Sequence, residues 1–327
     1  MENAENKTIE IKNVKKAFDS PAMKAPFTAL ENISCSIRPG SIYGLIGANG
    51  AGKSTLLRLI AGVYRPDCGE ITVGGKPVYN NPDVKKNIVF IPDELFFLPQ
   101  SNMNRMAKMY STLYPSFSRD RYNSLTAAFG LDPKATISSF SKGMKRQAAT
   151  VLALSLLPEI LIFDETFDGL DPVMREVVRR VLYEDVAERG MTVIISSHSL
   201  RELEDTCDRL ALLHKGGLVF ETELDSLKTS LFKIQIAFPE PFGEEKFTTA
   251  GLEPLSYSQS GSVAAFILRG DRDGAEEKLR AMSPILLDIL PLSLEEVFIH
   301  EAEALGYSVP CALDRKENEK NEKTSKN

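Results

Sequence analysis

Between Gly47 and Thr55 the chain reads Gly-Ala-Asn-Gly-Ala-Gly-Lys-Ser-Thr, directly after the apolar run Ile42-Tyr43-Gly44-Leu45-Ile46 and directly before Leu56-Leu57-Arg58-Leu59-Ile60. An apolar run that meets a glycine cluster and restarts with helical periodicity reads as strand, loop and helix. The spacing from Gly47 to Gly52-Lys53-Ser54 satisfies the P-loop pattern, in which backbone N–H groups wrap phosphate and the helix N-terminus adds its dipole. Glycine lets the backbone come that close. Gly47, Asn49, Gly50, Gly52, Lys53, Ser54 and Thr55 are therefore the candidate nucleotide-binding residues. Lys53 is placed to reach the β- and γ-phosphates, and Ser54 to offer its hydroxyl to Mg²⁺.

A chain of 327 residues accommodates this unit in one large domain with an appendage, or in two domains. The net charge of -6 provides no basic surface for nucleic acid, so DNA or RNA is not expected as the main partner. Cys35, Cys68, Cys207 and Cys311 are far apart and match no metal-ligand spacing, which predicts reduced thiols in a cytosolic protein. The polar start, Met1-Glu2-Asn3-Ala4-Glu5-Asn6-Lys7, lacks the features of a signal peptide. The longest apolar run, Val151 to Phe163, is broken by Pro158-Glu159 and is too short to span a bilayer.

Alternation predicts strands over Thr8 to Val14 and Ile33 to Ile37 ahead of the P-loop strand, and Gly74-Gly75 predicts a hairpin between Glu70 to Val73 and Lys76 to Tyr79. A buried strand over Asn87 to Ile91 ends at Pro92-Asp93-Glu94. From about 95 to 157 the periodicity turns helical, with helices expected over Met103 to Leu113, over Arg119 to Phe129 and after Ser141. Strand character resumes at Ile160 to Phe163 and at Thr192 to Ile195. Between them Asp171-Pro172 starts a long helix that Gly190 closes, which makes a parallel crossover. After the strand signals at Leu210 to Leu213 and Leu218 to Phe220, residues 227–305 read as a small α+β module. In that module strand-like pieces lie at Phe232 to Phe238 and Val263 to Leu268, and a helical piece lies at Ala275 to Met282. Residues 314–327 are almost wholly polar or charged and are expected to be disordered. No internal repeat is evident.

Two further stretches carry chemistry. Ile160-Leu161-Ile162-Phe163-Asp164-Glu165 is an apolar strand ending in two carboxylates, expected on the strand neighbouring the P-loop strand. There Asp164 would hold the Mg²⁺ hydration shell and Glu165 would polarise an attacking water. Ile137 to Gln147 places Ser141-Lys142-Gly143 just before a helix, a geometry that serves as an N-cap or as a second phosphate contact.

In their order along the chain these stretches resemble the motifs of ATP-binding cassette (ABC) ATPases. The segment around Ser141 is similar to that family's signature loop, Leu-Ser-Gly-Gly-Gln: Ser141 and Gly143 match, while Phe140, Lys142 and Met144 replace the leucine, first glycine and glutamine. Asp168-Gly169-Leu170-Asp171 resembles the D-loop, and His198, after its strand, resembles the switch histidine that contacts the γ-phosphate. Phe18 stands where the family stacks an aromatic ring on adenine, with Phe27 competing for that role. Asp93 aligns with the Q-loop glutamine that senses Mg²⁺ and faces the membrane partner. A carboxylate there can accept from a metal-bound water but adds charge beside Asp164 and Glu165.

The resemblance implies an α/β fold with a P-loop NTPase (RecA-like) parallel-sheet core over residues 8–226, carrying an N-terminal antiparallel β-subdomain and the helical insertion, followed by the C-terminal module. It implies an ATPase using ATP and Mg²⁺. Glu165, His198 and Asp93 would act in catalysis, Ser54, Asp164 and Asp93 at the metal, and Phe18, Ser141, Gly143 and Asp171 at nucleotide. Two cassettes, of this chain or of this chain and a related one, would close head to tail around two ATPs and drive a separate integral membrane permease from the inner face of the cell membrane. The variant loops, with Ser293-Leu294-Glu295-Glu296-Val297-Phe298 near the C-terminus, look like the ATPase subunits of ABC-2-type exporters, including the GntR-linked and bacitracin-export types. The alternatives are a soluble ABC ATPase working on nucleic acid or the ribosome, which would want paired cassettes, coiled coils or a basic surface, and a P-loop small-molecule kinase, which leaves the signature loop and D-loop unexplained.

Overall fold

A computed structural model describes residues 7–19, 26–165, 170–224, 226 and 231–304. Asp168, Gly169, Cys311 and the charged tail lie outside the described residues. The chain divides between Leu224 and Asp225 into two compact units.

The first unit opens with β1 (Ile9–Phe18) and β2 (Phe27–Ile37), followed by β3 (Ile42–Ile46) and α1 (Lys53–Ile60). Next come β4 (Cys68–Val73), β5 (Lys76–Pro77), α2 (Pro82–Lys85) and β6 (Ile88–Ile91). β1 and β2 are longer than the alternation predicts. Asn13 and Asn32 adopt positive φ of 51° and 53°, and the β1–β2 register shifts repeatedly after Ile11. Each bulge resets the in/out alternation, so a strand that continues through one loses its period-2 signature. β1, β2, β4 and β5 form an antiparallel sheet in the order β2-β1-β4-β5, with Gly74 and Gly75 at φ 57° and 73° turning the hairpin.

The helical segment contains α3 (Met103–Leu113), α4 (Arg119–Ala128) and α5 (Lys142–Leu154). Asn102, Ser118 and Ser141 cap them, each side-chain oxygen accepting the backbone N–H three residues on. Then follow β7 (Ile160–Asp164), α6 (Pro172–Arg189), β8 (Thr192–Ser197), α7 (Leu200–Glu204), β9 (Arg209–His214) and β10 (Gly217–Glu223).

The central sheet has six strands in the order β10-β9-β3-β8-β7-β6. All pairings are parallel except β10 with β9. Every residue of β3, β7 and β8 is buried, as expected for a parallel sheet covered on both faces. Leu56, Leu57, Leu59 and Ile60 of α1 pack against this sheet beside Leu45, Ile162 and Ile194. The topology corrects one expectation: β7 is not adjacent to β3, because β8 lies between them. The β7-α6-β8 crossover places β8 against β3, so the two carboxylates stand one strand further from the P-loop than adjacency predicts.

The second unit runs strand, helix, strand, strand, helix, strand, the split βαβ arrangement. Its strands β11 (Leu231–Ala237), β12 (Ser256–Ser260), β13 (Val263–Arg269) and β14 (Leu286–Pro291) pair antiparallel in the order β12-β13-β11-β14. Helices at Glu245–Thr249 and Arg272–Ala281 supply Phe247 and Leu279 to a core with Ile234, Ile236 and Phe266. A further helix covers Leu294–Ala304, and in it the Glu296 carboxylate caps its own start at Ser293. β12 reads Ser-Tyr-Ser-Gln-Ser and is an exposed edge, so no hydrophobic alternation announces it.

Among the described residues, Cys35, Cys68 and Cys207 carry free thiols, with burial pushing Cys35 up to about 12. No described helix is long and apolar enough to cross a membrane.

Candidate functional site

The loop after β3 turns sharply into α1. Gly52 caps the helix at φ 104°, where a β-carbon would stand 2.7 Å from the Ala29 carbonyl oxygen. At Gly47 a β-carbon would stand 2.5 Å from the Leu213 carbonyl oxygen. Both positions require glycine, on steric grounds that the motif alone does not reveal. The resulting cleft is lined by Asn49, Gly50 and Gly52 to Thr55, together with Phe27, Ala29, Asp93 and Glu165.

Within the cleft the charged side chains meet. Lys53, only 4% exposed, donates to the Gly47 carbonyl oxygen at 2.7 Å and lies 3.1 Å from Glu165 Oε1. Ser54 Oγ donates to Asp164 Oδ1 at 2.9 Å, and Ser196 Oγ donates to the same oxygen at 3.0 Å. Ser196 stands at the β8 position paired with Asp164 on one side and Leu45 on the other, so it fills the gap between the P-loop strand and the acid strand. Burial pushes the Asp164 carboxyl above the usual carboxylate range, and the Ser54 and Ser196 hydroxyls pull against that shift.

Glu165 is held at φ 51°, its N–H bonded to the Ser196 carbonyl oxygen at 3.2 Å and near Ser196 Oγ at 3.1 Å. A left-handed conformation costs a residue with a β-carbon about 1–2 kcal/mol, and strain of this kind concentrates at working sites. The exposed His198 places Nδ1 3.8 Å from Glu165 Oε2. Ser197 Oγ donates to Glu202, whose other oxygen lies 3.3 Å from Arg175, and Arg175 in turn donates to the Leu170 carbonyl oxygen. The segment carrying His198 is thereby tied to the start of α6.

Several predicted residues stand apart from this cluster. Phe18 packs edge-on against Tyr64 at 5.3 Å and is not among the cleft-lining residues, whereas its rival Phe27 is. Ser141 and Asp171 spend side-chain oxygens capping α5 and α6 through the N–H groups of Met144 and Met174. Neither these two nor Gly143 lines the cleft. Asp93 does line it, and its Oδ1 accepts Arg146 at 2.8 Å. Ser196 and Arg146 were not singled out by sequence. A small hydroxyl residue at the end of a buried strand, two before His198, was the available signal for the first, and nothing local marks the second.

The cleft fits a magnesium nucleotide by its chemistry: a glycine-walled backbone loop, one buried ammonium, and hard oxygen donors at Ser54 and Asp164 within hydrogen-bonding distance of each other. Comparison with known proteins agrees. The family model described as ABC transporter matches residues 30–168. The chain is similar to the ABC transporter ATP-binding protein YtrB of Bacillus subtilis (strain 168), at 30% identity over 291 residues, covering 89% of this chain and 97% of that protein. It is also similar to the bacitracin transport ATP-binding protein BcrA of Bacillus licheniformis, at 31% identity over 219 residues, covering 65% of this chain and 71% of that protein. A solved ATP-binding subunit of an ABC transporter superposes with a TM-score of 0.60 at 28% identity, covering 67% of this chain and 91% of that one. The fold is that of the P-loop ATPase cassettes, and this chain belongs to the ATP-binding proteins of ABC transporters, the family's ATPases.

Proposed function

We propose that this chain is the ATP-hydrolysing subunit of an exporter, working as a pair of cassettes around two ATPs beneath a separate membrane permease. The observation that carries this reading is the convergence of Lys53, Ser54, Asp164 and Glu165 at the loop after β3. Lys53 would exchange its contacts to Gly47 and Glu165 for phosphate oxygens, while Ser54 and Asp164 would hold Mg²⁺, which supplies charge neutralisation on the β- and γ-phosphates. Glu165, released from Lys53, would accept a proton from the attacking water as its oxygen bonds to the γ-phosphorus and the bond to ADP breaks. His198 would bond the γ-phosphate, and Asp93 a metal-bound water. The adenine would stack on Phe18 or Phe27, with the cleft position of Phe27 supporting the latter.

Ser141, Gly143 and Asp171 would meet the nucleotide bound by a second cassette, which agrees with their absence from the lining of their own chain's cleft. An apolar groove bordered by β6, α3 and α5 and lined by Phe90, Pro92, Leu95, Phe96, Phe97 and Tyr110, with Phe96 79% exposed, suits a permease segment. Such contact would place the protein on the inner face of the membrane. The export direction rests on likeness to the Nod factor export ATP-binding protein I of Rhizobium etli (strain ATCC 51251 / DSM 11541 / JCM 21823 / NBRC 15573 / CFN 42), at 30% identity over 300 residues, covering 89% of this chain and 92% of that protein. The C-terminal unit would be an accessory module.

The test is Glu165→Gln. It should keep ATP binding, lower hydrolysis by about 100-fold or more, the scale of general-base loss, and accumulate an ATP-bound dimer visible by size-exclusion chromatography. Undiminished turnover would remove Glu165 from the role of base.

A further inference from the structure

Among the described residues, two ion pairs tie the helical segment to the rest of its unit, and they differ in kind. Asp185 of α6, 2% exposed, accepts Arg121 of α4 at 2.5 Å through Oδ1, and both of its oxygens also bind Arg189. There the carboxylate is buried and both of its oxygens are engaged. The other joins Asp93, two residues beyond β6, to Arg146 in α5 through a single 2.8 Å contact, with the Asp93 side chain 53% exposed and that of Arg146 19%. Asp93 also lines the P-loop cleft, together with Glu165. Arg146 lies in the first turns of α5, just beyond Ser141, Lys142 and Gly143.

One carboxylate thus faces the cleft on one side and grips the start of α5 on the other. A single-contact, half-exposed pair breaks far more easily than a buried carboxylate shared between two guanidinium groups. Asp93 lines the cleft and Asp185 does not, so charge entering the cleft meets the first carboxylate and not the second.

We propose that Arg146 is a positioning residue that sets the orientation of Asp93, and that the Asp93–Arg146 pair is a latch coupling nucleotide in the P-loop cleft to the start of α5. With the latch closed, Asp93 is held toward Arg146 and the first turns of α5 are fixed. When magnesium ATP fills the cleft, the Asp93 carboxylate turns toward it and Arg146 lets go. The segment stays anchored through Arg121 and Asp185. This rests on the functional reading above.

The experiment compares amide hydrogen exchange over residues 142–150 with and without magnesium ATP, in the full chain carrying Glu165→Gln to prevent turnover and Ser141→Asp, which keeps the α5 cap but repels a second cassette's nucleotide and so leaves the start of α5 uncovered, with and without Arg146→Gln. ATP binding is followed in parallel by calorimetry. The expected result is faster exchange on ATP addition in the Glu165→Gln, Ser141→Asp chain, and exchange already fast without ATP once Arg146→Gln is added. In the otherwise wild-type chain, Arg146→Gln should lower kcat by about fivefold or less, the scale of an exposed pair, with KM for ATP little changed. Asp93→Asn should reproduce the exchange change, the double variant should exceed neither single one, and Arg146→Lys should recover most of the wild-type behaviour. ATP binding with exchange that ignores Arg146→Gln would overturn the latch alone, as would additive effects of the two single variants. Failure of the chain to bind ATP at all would overturn the functional reading and the latch with it.

Discussion

The P-loop cleft and the start of α5 both set small residues before a helix, yet they are built in opposite ways. In the cleft, Ser54 reaches a carboxylate 110 positions away in sequence, and Lys53 reaches Glu165 across the sheet. At α5, among the described residues, Ser141 bonds only to the N–H groups of Met144 and Lys145, through its side chain and its carbonyl respectively. The first site exists only because the sheet assembles it. The second is complete as a local cap, and its exposed residues Ser141 and Lys142 leave one surface available to something outside the chain. The difference teaches that a phosphate cradle needs the sheet to bring its parts together, whereas a helix cap needs only its own first turn.

Breaking the cleft should have the largest effect. Lys53→Ala removes a buried ammonium whose charge-assisted hydrogen bonds are worth about 1.5–3 kcal/mol each, so ATP affinity measured by calorimetry should fall by at least roughly 10-fold to 100-fold. Retained affinity would mean that the backbone alone binds the phosphates.

A sharper separation comes from Ser141→Asp. Aspartate caps a helix about as well as serine, so thermal stability should move by less than about 0.5 kcal/mol. Its carboxylate would nevertheless repel a phosphate offered by a second cassette. Binding of ATP to the chain's own cleft should persist while hydrolysis is lost. Normal hydrolysis in a variant that retains the cap would reduce Ser141 to a structural role.

The smallest effect concerns Asp164. Burial raises its folded-state pKa above the ordinary aspartate value, so within that window the folded protein holds a proton that the unfolded chain has already lost. Stability of the ligand-free protein should therefore decline as pH rises through the window, and the penalty should persist above it. Denaturant midpoints measured across mildly acidic pH would show this slope, and Asp164→Asn should flatten it. A slope of opposite sign would mean that the Ser54 and Ser196 hydrogen bonds outweigh burial.

Much of this was legible in the sequence because it is local. The strand, glycine loop and helix around Lys53, the caps at Ser141 and Asp171, and the Gly190 stop at φ 64° all depend on residues within one turn of each other. Strand adjacency is not local. β8 stands between β3 and β7, which makes Ser196 the bridge to Asp164, and no periodicity reports that order. The bulges at Asn13 and Asn32 hid the full length of β1 and β2 in the same way, by breaking the pattern that would have revealed them. The polar edge strand β12 forms because β13 offers it a partner, and its own side chains do not demand a strand.

By itself the sequence determined the chemistry available to this protein: which groups can meet phosphate, which carboxylates end a buried strand, and where each helix begins. Spacing and side-chain type suffice for that, since backbone geometry over a few residues is set by sterics and local hydrogen bonds. Only the tertiary structure decided which of those groups share a cleft. It set Phe27 rather than Phe18 at its wall, brought Arg146 to Asp93, and left Ser141 facing away. Those choices follow from how a parallel sheet is wound and how a helical segment is tethered to it, and they depend on contacts between residues that the chain order keeps far apart.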